Sequence, residues 1–239
     1  MEWERQYHYS GALALRCLTS LSCFASYQLL NFILGKTTIL NKIIRNKDVL
    51  IKNGAKKSVL LYYLSDQKIY KEWERDGLLT FKKPGVPDID DFKDTIKFHG
   101  ENGSIIIFDD LGSEIRHNAK FFTELFLVLS HHLNLHIFVV LHNIFPEGLR
   151  ELSLNCHKFI CTFNPRDTLS ISTLNRQCFP GSKNFLLHAY KFIGQQKYGY
   201  LLLDFHHETN PALRGMGSLW LPEYIKIICF KSAPVGSVS

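Results

Sequence analysis

The chain has 239 residues, 46% hydrophobic and 13% aromatic, enough for one substantial α/β core and a single domain's worth of burial. Its net charge of +6 suits a nucleic-acid partner without demanding one. Six scattered cysteines with no CxxC pair exclude a disulfide framework and read as free thiols in a reducing compartment.

In chain order, residues 1–10 are polar and aromatic, and residues 11–34 are apolar but broken by Arg16, Gln28 and Asn31. Glu2 and Glu4 balance Arg5, which argues against a signal peptide. The interrupted run also falls short of the about twenty apolar residues that a membrane span needs, so no membrane partner is expected. We read residues 1–30 as an atypical N-terminal segment, open to the reading that it is not native to the domain, as a misjudged exon boundary would leave it. The run Gly35-Lys36-Thr37-Thr38 follows, with an apolar stripe of Ile39, Leu40, Ile43 and Ile44 that predicts a helix. Residues 47–57 are the densest basic stretch and suit a solvated loop. Residues 58–64 read as a buried strand, 68–83 are mixed and charged, and 87–92 look like a helix start with acids in its first turn.

The run Ser104-Ile105-Ile106-Ile107-Phe108-Asp109-Asp110 is the strongest signal. Consecutive apolar residues suit a strand buried on both faces, and acids at its C-terminal end sit where open α/β sheets place their ligands. This is the shape of a Walker B segment, with Asp109 holding Mg²⁺ and Asp110 preparing a water for attack. Residues 118–129 then carry phenylalanines and leucines at helical spacing, a core stripe. Further strands are expected at 136–141, ending in His142-Asn143, at 158–163, ending in Asn164-Pro165-Arg166-Asp167, and at 200–205. Helices are expected through 173–177 and 185–192, and residues 232–239 form a small, polar, disordered tail. His131, His132 and His136 fit a helix end and the next strand better than a metal site. Alternating strands and helices predict a three-layer α/β fold with a mainly parallel sheet, its domain spanning 31–231.

Gly35-Lys36-Thr37 is the second half of the phosphate-loop signature G-x-x-x-x-G-K-[ST]. Backbone N–H groups from Gly35 to Thr38 could face phosphate oxygens at a helix N-terminus, Lys36 would reach the outer phosphates, and the Thr37 hydroxyl would bind Mg²⁺. The first glycine of the signature is replaced by Leu30, which reaches the required dihedrals only with strain. ATP and Mg²⁺ are therefore the expected ligands of an incomplete Walker A motif. The strand at 58–64, between the loop and the Walker B strand, points to the RecA-like and AAA+ branch of P-loop proteins. That branch keeps a polar γ-phosphate sensor after the next strand, for which His142 and Asn143 are the candidates.

Residues 106–111, 138–143 and 164–167, with Arg176-Gln177 and the segment 200–206, together resemble the genome-packaging ATPases of the FtsK–HerA superfamily, in the form carried by Maverick/Polinton elements and adintoviruses. The resemblance spans roughly residues 35–225. It implies a homo-oligomeric ring that hydrolyses ATP to drive double-stranded DNA into a capsid, in a host nucleus or virion, with capsid proteins as further partners. It also implies catalytic roles for Lys36, Asp110 and Asn143 or His142, and an arginine given to the neighbouring subunit, either Arg166 or Arg176. Two rivals stand beside it. A catalytically impaired relative would bind DNA or subunits without turnover, as Leu30 suggests. A small-molecule kinase would need an arginine-rich lid, and the basic stretch 182–197 contains no arginine.

Overall fold

The computed structural model describes residues 27–31, 36–142, 145, 154–182, 184–196, 199–209, 215–217 and 226–227. The expected tail at 232–239 and residues 1–26 of the N-terminal segment lie outside the described residues, as do Gly35 and Asn143.

Six parallel strands form most of the sheet: β1 (Tyr27–Asn31), β2 (Ser58–Tyr63), β3 (Phe81–Pro84), β4 (Ser104–Asp109), β5 (Leu135–Leu141) and β6 (Lys158–Thr162). They lie in the order β3-β2-β4-β5-β1-β6. Antiparallel strands β7 (Tyr200–Asp204), β8 (Gly215–Gly217) and β9 (Lys226–Ile227) extend the β6 edge. The strand entering the partial phosphate loop, β1, is thus separated from β4 by β5, the RecA-like arrangement expected from the sequence. The folded unit reaches back at least to Tyr27, because β1 pairs on both sides, with β5 and with β6.

Every residue of β4, β5, β6 and β7 is buried, which is why these strands read as near-continuous apolar runs. Two hydrophobic layers flank the sheet. On one face Leu60, Ile106, Phe108, Ile137 and Val139 pack under α4 (Ile89–His99), α6 (Ala119–Glu124), α8 (Thr168–Cys178) and α9 (Phe185–Gly194). On the other, Val59, Leu61, Ile105, Ile107, Phe138 and Val140 pack under α1 (Lys36–Arg45) and α3 (Lys68–Arg75). The result is a three-layer α/β fold. Short helices α2 (Lys47–Leu50) and α5 (Gly112–His117) fill connections, and α6 continues through a π turn, Leu125–Leu129, into α7 (Ser130–His132).

Local chemistry explains the boundaries. Asp88 caps α4 by accepting from the Asp90 and Asp91 backbone N–H groups, and those two acids complement the helix dipole. The expected helix at 118–129 is divided into α6 and the π turn. The expected helix at 173–177 extends to Thr168–Cys178. The mixed segment at 68–83 contains α3 and the edge strand β3, neither of which its charge pattern revealed. No helix among the described residues is long and apolar enough to cross a membrane.

The amino-terminal ends of the parallel strands carry their own buried polar groups. Gly103 turns into β4 with φ +84, and a Cβ there would meet Lys57 Nζ and the Asn134 carbonyl, so glycine permits the Lys57 Nζ to Asn134 O hydrogen bond at 3.0 Å. Lys158 faces Asp204 across the β6–β7 pair, and the two form a buried ion pair. Lys158→Met should lower the free energy of unfolding by about 3–5 kcal/mol, because it strands a buried charge, and adding Asp204→Leu should restore most of that loss in urea titrations. His136 is buried beside Lys57, and burial first, then that positive neighbour, push its pKa down to about 4. The unfolded chain binds the His136 proton between about pH 6.5 and 4 while the folded chain does not. Its contribution is complete above that window and is lost as pH falls through it, by up to about 3 kcal/mol. His136→Leu should flatten this part of the stability profile measured by denaturant unfolding.

Candidate functional site

Parallel strands bring their carboxyl ends to one edge of the sheet, and α1 begins at that edge. Lys36 opens α1, Asp109 closes β4 and His142 follows β5. Asp109 and Val140 are register partners, as are Val140 and Leu30, so all three lie at one level of the sheet. Leu30 is therefore a strand residue paired on both sides, with Val140 and Ile160. The chain stays in the sheet through Asn31, where a full phosphate loop would already have left it, and only residues 32–35 connect β1 to α1.

A chain of polar contacts joins the three elements. Lys36 Nζ lies 2.8 Å from His142 Nδ1 and 3.0 Å from Nε2, and His142 Nε2 lies 2.6 Å from Asp110 Oδ1. An ammonium can only donate and an ionised carboxylate can only accept. The arrangement that satisfies both places the His142 proton on Nε2, donating to Asp110, with Nδ1 accepting from Lys36. Asp110 holds φ +62, a left-handed conformation uncommon outside glycine and asparagine and of the kind that concentrates at functional sites.

The electrostatics of the buried part are set by desolvation. Asp109 is 3% exposed, and burial raises its pKa, opposed by the Tyr70 hydroxyl, which donates to Oδ2 at 2.6 Å, and by Lys36. Burial likewise lowers the Lys36 pKa, opposed by Asp110 and Asp109. A dry carboxylate supported by one phenol and one partly desolvated ammonium is short of positive charge. A divalent cation could supply it, and the Thr37 hydroxyl, whose one side-chain hydrogen bond among the described residues is a long 3.5 Å contact to Gln67 Oε1, is a second oxygen on the same edge. Thr37 and Asp109 are the residues that could hold Mg²⁺, and Lys36 at a helix start could meet the phosphates of a nucleotide.

Of the residues singled out from sequence, Lys36, Thr37, Asp109, Asp110 and His142 come together at this edge. Thr38 is the exposed second residue after Lys36. Arg166 lies just past the end of β6, on the same edge of the sheet, exposed, with its backbone N–H donating to Asn164 Oδ1 at 3.1 Å. Arg176 makes no hydrogen bond or ion pair with these residues. It sits in the last turn of α8, where the neighbouring Asn175 bonds Ser182 and the start of α9, whereas the later α9 residue Tyr190 reaches back to Thr162 and Asn164. Arg176 Nη2 donates to Thr173 Oγ1 at 3.3 Å.

Sequence reading missed Tyr70, inside the segment 68–83 taken as mixed and charged, and Gln67, just before it. The signal available was the aromatic pair Tyr70 and Trp73, three residues apart in an otherwise polar stretch, the spacing of one buried helix face.

No protein-family model matches this chain. No curated protein matches it in sequence.

The tautomer of His142 is open to direct measurement. Two-bond ¹⁵N–¹H correlation spectra, assigned with His142→Ala, should show the proton on Nε2 and a bare Nδ1. A proton on Nδ1 would turn a ring lone pair toward the Asp110 carboxylate and would rule out the Lys36–His142–Asp110 relay.

Proposed function

We propose that the chain is a Mg²⁺-dependent ATPase that works as a ring motor on double-stranded DNA, with genome packaging into a capsid as its task. The observation that carries the ATPase reading is the convergence of Lys36, Thr37, Asp109, Asp110 and His142 at the carboxyl edge of a RecA-like sheet. Phosphoryl transfer to water is mostly positioning and charge neutralisation, and this residue set supplies both.

Mg²⁺ bound with the nucleotide would neutralise phosphate charge. The chain's own residues do the rest. Thr37 and Asp109 would hold the cation. Lys36 Nζ would leave His142 for the outer phosphate oxygens, which offer a stronger, charge-assisted hydrogen bond than a neutral imidazole. Asp110, half-exposed on the edge, would orient a water and accept its proton. His142, bonded to both Lys36 and Asp110, would report that exchange to β5 and the segment after it. Asn143 remains a second sensor in this reading. Arg166 is the better placed of the two arginines for a neighbouring subunit's site, being exposed on the nucleotide edge.

The DNA part of the reading rests on the superfamily resemblance and on the net charge of +6. Grip on phosphates would be sequence-blind and would weaken steeply with salt. Ring assembly, capsid partners and a nuclear or virion location belong to the same reading. A second reading is supported by β1, whose pairing through Leu30 and Asn31 leaves a short connection to Lys36: an impaired relative that binds DNA or sister subunits without turnover.

Steady-state ATP hydrolysis with and without double-stranded DNA separates the two. The motor reading expects DNA-stimulated turnover that Asp110→Asn lowers by about 10²-fold or more while Mg²⁺-ATP binding persists. It also expects Lys36→Met to lose nucleotide binding. Binding without turnover in the unaltered chain favours the impaired relative, and absence of Mg²⁺-ATP binding would exclude the ATPase.

A further inference from the structure

Helix α3 is tied to both elements that carry the candidate cation ligands. Tyr70 is fully buried, and its hydroxyl donates to Asp109 Oδ2 at 2.6 Å. Its ring packs 5.3 Å from Tyr63 and 5.6 Å from Trp73, centroid to centroid. Trp73 Nε1 in turn donates to Asn41 Oδ1 on α1 at 2.8 Å, and Arg45 of α1 pairs with Asp76 just past α3 at 2.7 Å. Gln67, at the start of α3, meets the Thr37 hydroxyl. The phenol is therefore aimed by packing on every side rather than left to rotate.

The structure assigns Tyr70 as a positioning residue that orients the Asp109 carboxylate for a divalent cation, by occupying Oδ2 and leaving Oδ1 without a hydrogen bond among the described residues. The assignment rests on the nucleotide-site reading above and adds a residue to it. A carboxylate turns easily about its terminal torsion, and a buried one with a single donor is fixed by that donor. Tyr70 touches neither the nucleotide nor the water to be activated. Its effect is confined to cation affinity, which separates it from a residue that merely fills the core.

The test is a Mn²⁺ titration followed by electron paramagnetic resonance, on the full chain with ADP present. Metal-free ADP affinity and thermal melting are measured alongside. Tyr70→Phe keeps the ring and removes only the hydroxyl. It should weaken Mn²⁺ binding by about tenfold, the low end for loss of a group that orients a metal ligand, with metal-free ADP affinity unchanged. Trp73→Phe, which releases Asn41 but leaves the Tyr70 hydroxyl in place, should leave Mn²⁺ affinity unchanged. Mn²⁺ binding by Tyr70→Phe equal to that of the unaltered chain overturns the assignment. So does an equal loss in Trp73→Phe, which would mark a packing effect, and so does a Tyr70→Phe chain that fails to fold. Asp109→Asn distinguishes the two levels of the argument. If the unaltered chain binds no Mn²⁺ with ADP, or Asp109→Asn binds it equally well, the nucleotide site itself fails and the role of Tyr70 falls with it. If Asp109→Asn abolishes binding and Tyr70→Phe does not alter it, only the role of Tyr70 fails.

Discussion

A parallel sheet covered by helices on both faces has no room for charge along its strands. Polar chemistry can gather only where the strands end, and in this protein each end carries a distinct set. At the carboxyl ends, Lys36, His142 and Asp110 form a connected group open on one side to solvent, beside the buried Asp109. At the amino ends, Lys57, His136 and the Lys158–Asp204 pair are enclosed. The two sets obey the same rule, that a buried charge must find a partner, but with different outcomes. In the enclosed set Lys57 donates to the Asn134 carbonyl and Lys158 pairs with Asp204, which is the behaviour of structural polar groups. The open set keeps a dry carboxylate whose pKa burial raises, opposed by the Tyr70 hydroxyl and Lys36, and that arrangement is what makes it a candidate ligand site.

The position of Asp109 governs the rest of that site. As the last residue of β4 it has five buried residues of strand behind it and the turn at Asp110 ahead. Desolvation there makes every interaction with it stronger than the same contact at the surface. The long reach of Lys36, the phenol of Tyr70 and the left-handed turn that throws Asp110 outward all arrange themselves around this one buried acid. Adjacent residues thereby receive different surroundings. Asp109 is held dry under the Tyr70 hydroxyl, and Asp110 stays half-exposed beside His142, where a water can reach it.

How much was legible in the sequence follows from which faces are buried. Strands β4, β5 and β6 were evident because two covered faces force unbroken apolar runs, and the polar residues that end those runs mark the site directly. Asp109, Asp110 and His142 were found in this way, and Lys36 by the Gly35-Lys36-Thr37 half of the phosphate-loop signature, with an apolar helix stripe behind it. Tyr70 was not, because α3 buries only Tyr70 and Trp73 and surrounds them with charge, so its pattern is too sparse to announce a helix. Strand β3 was hidden for a related reason: an edge strand of two lysines and a proline, Phe81–Pro84, carries the features that guard sheet edges rather than those that fill cores. Strand β1 was obscured by Gln28 and Asn31, and by the expectation that position 30 belongs to a loop. Its residues lie in the sheet's middle, yet their identities resemble the irregular stretch that precedes them.

That location of β1 has a bearing on how the chain is built. Tyr27 pairs with Ile137, and Gln28 with Lys158, so the first described strand acquires both its neighbours only from the second half of the sequence. During synthesis the β2–β3–β4 part of the sheet can assemble from nearby segments with α1 packed on it, while β1 has no strand partner until β5 and β6 emerge. Long-range pairings of this kind are slow to form and leave apolar edges uncovered in the interval. The strand that precedes Lys36 is thus among the last to find its neighbours, and the candidate site comes into being together with the completed sheet rather than before it.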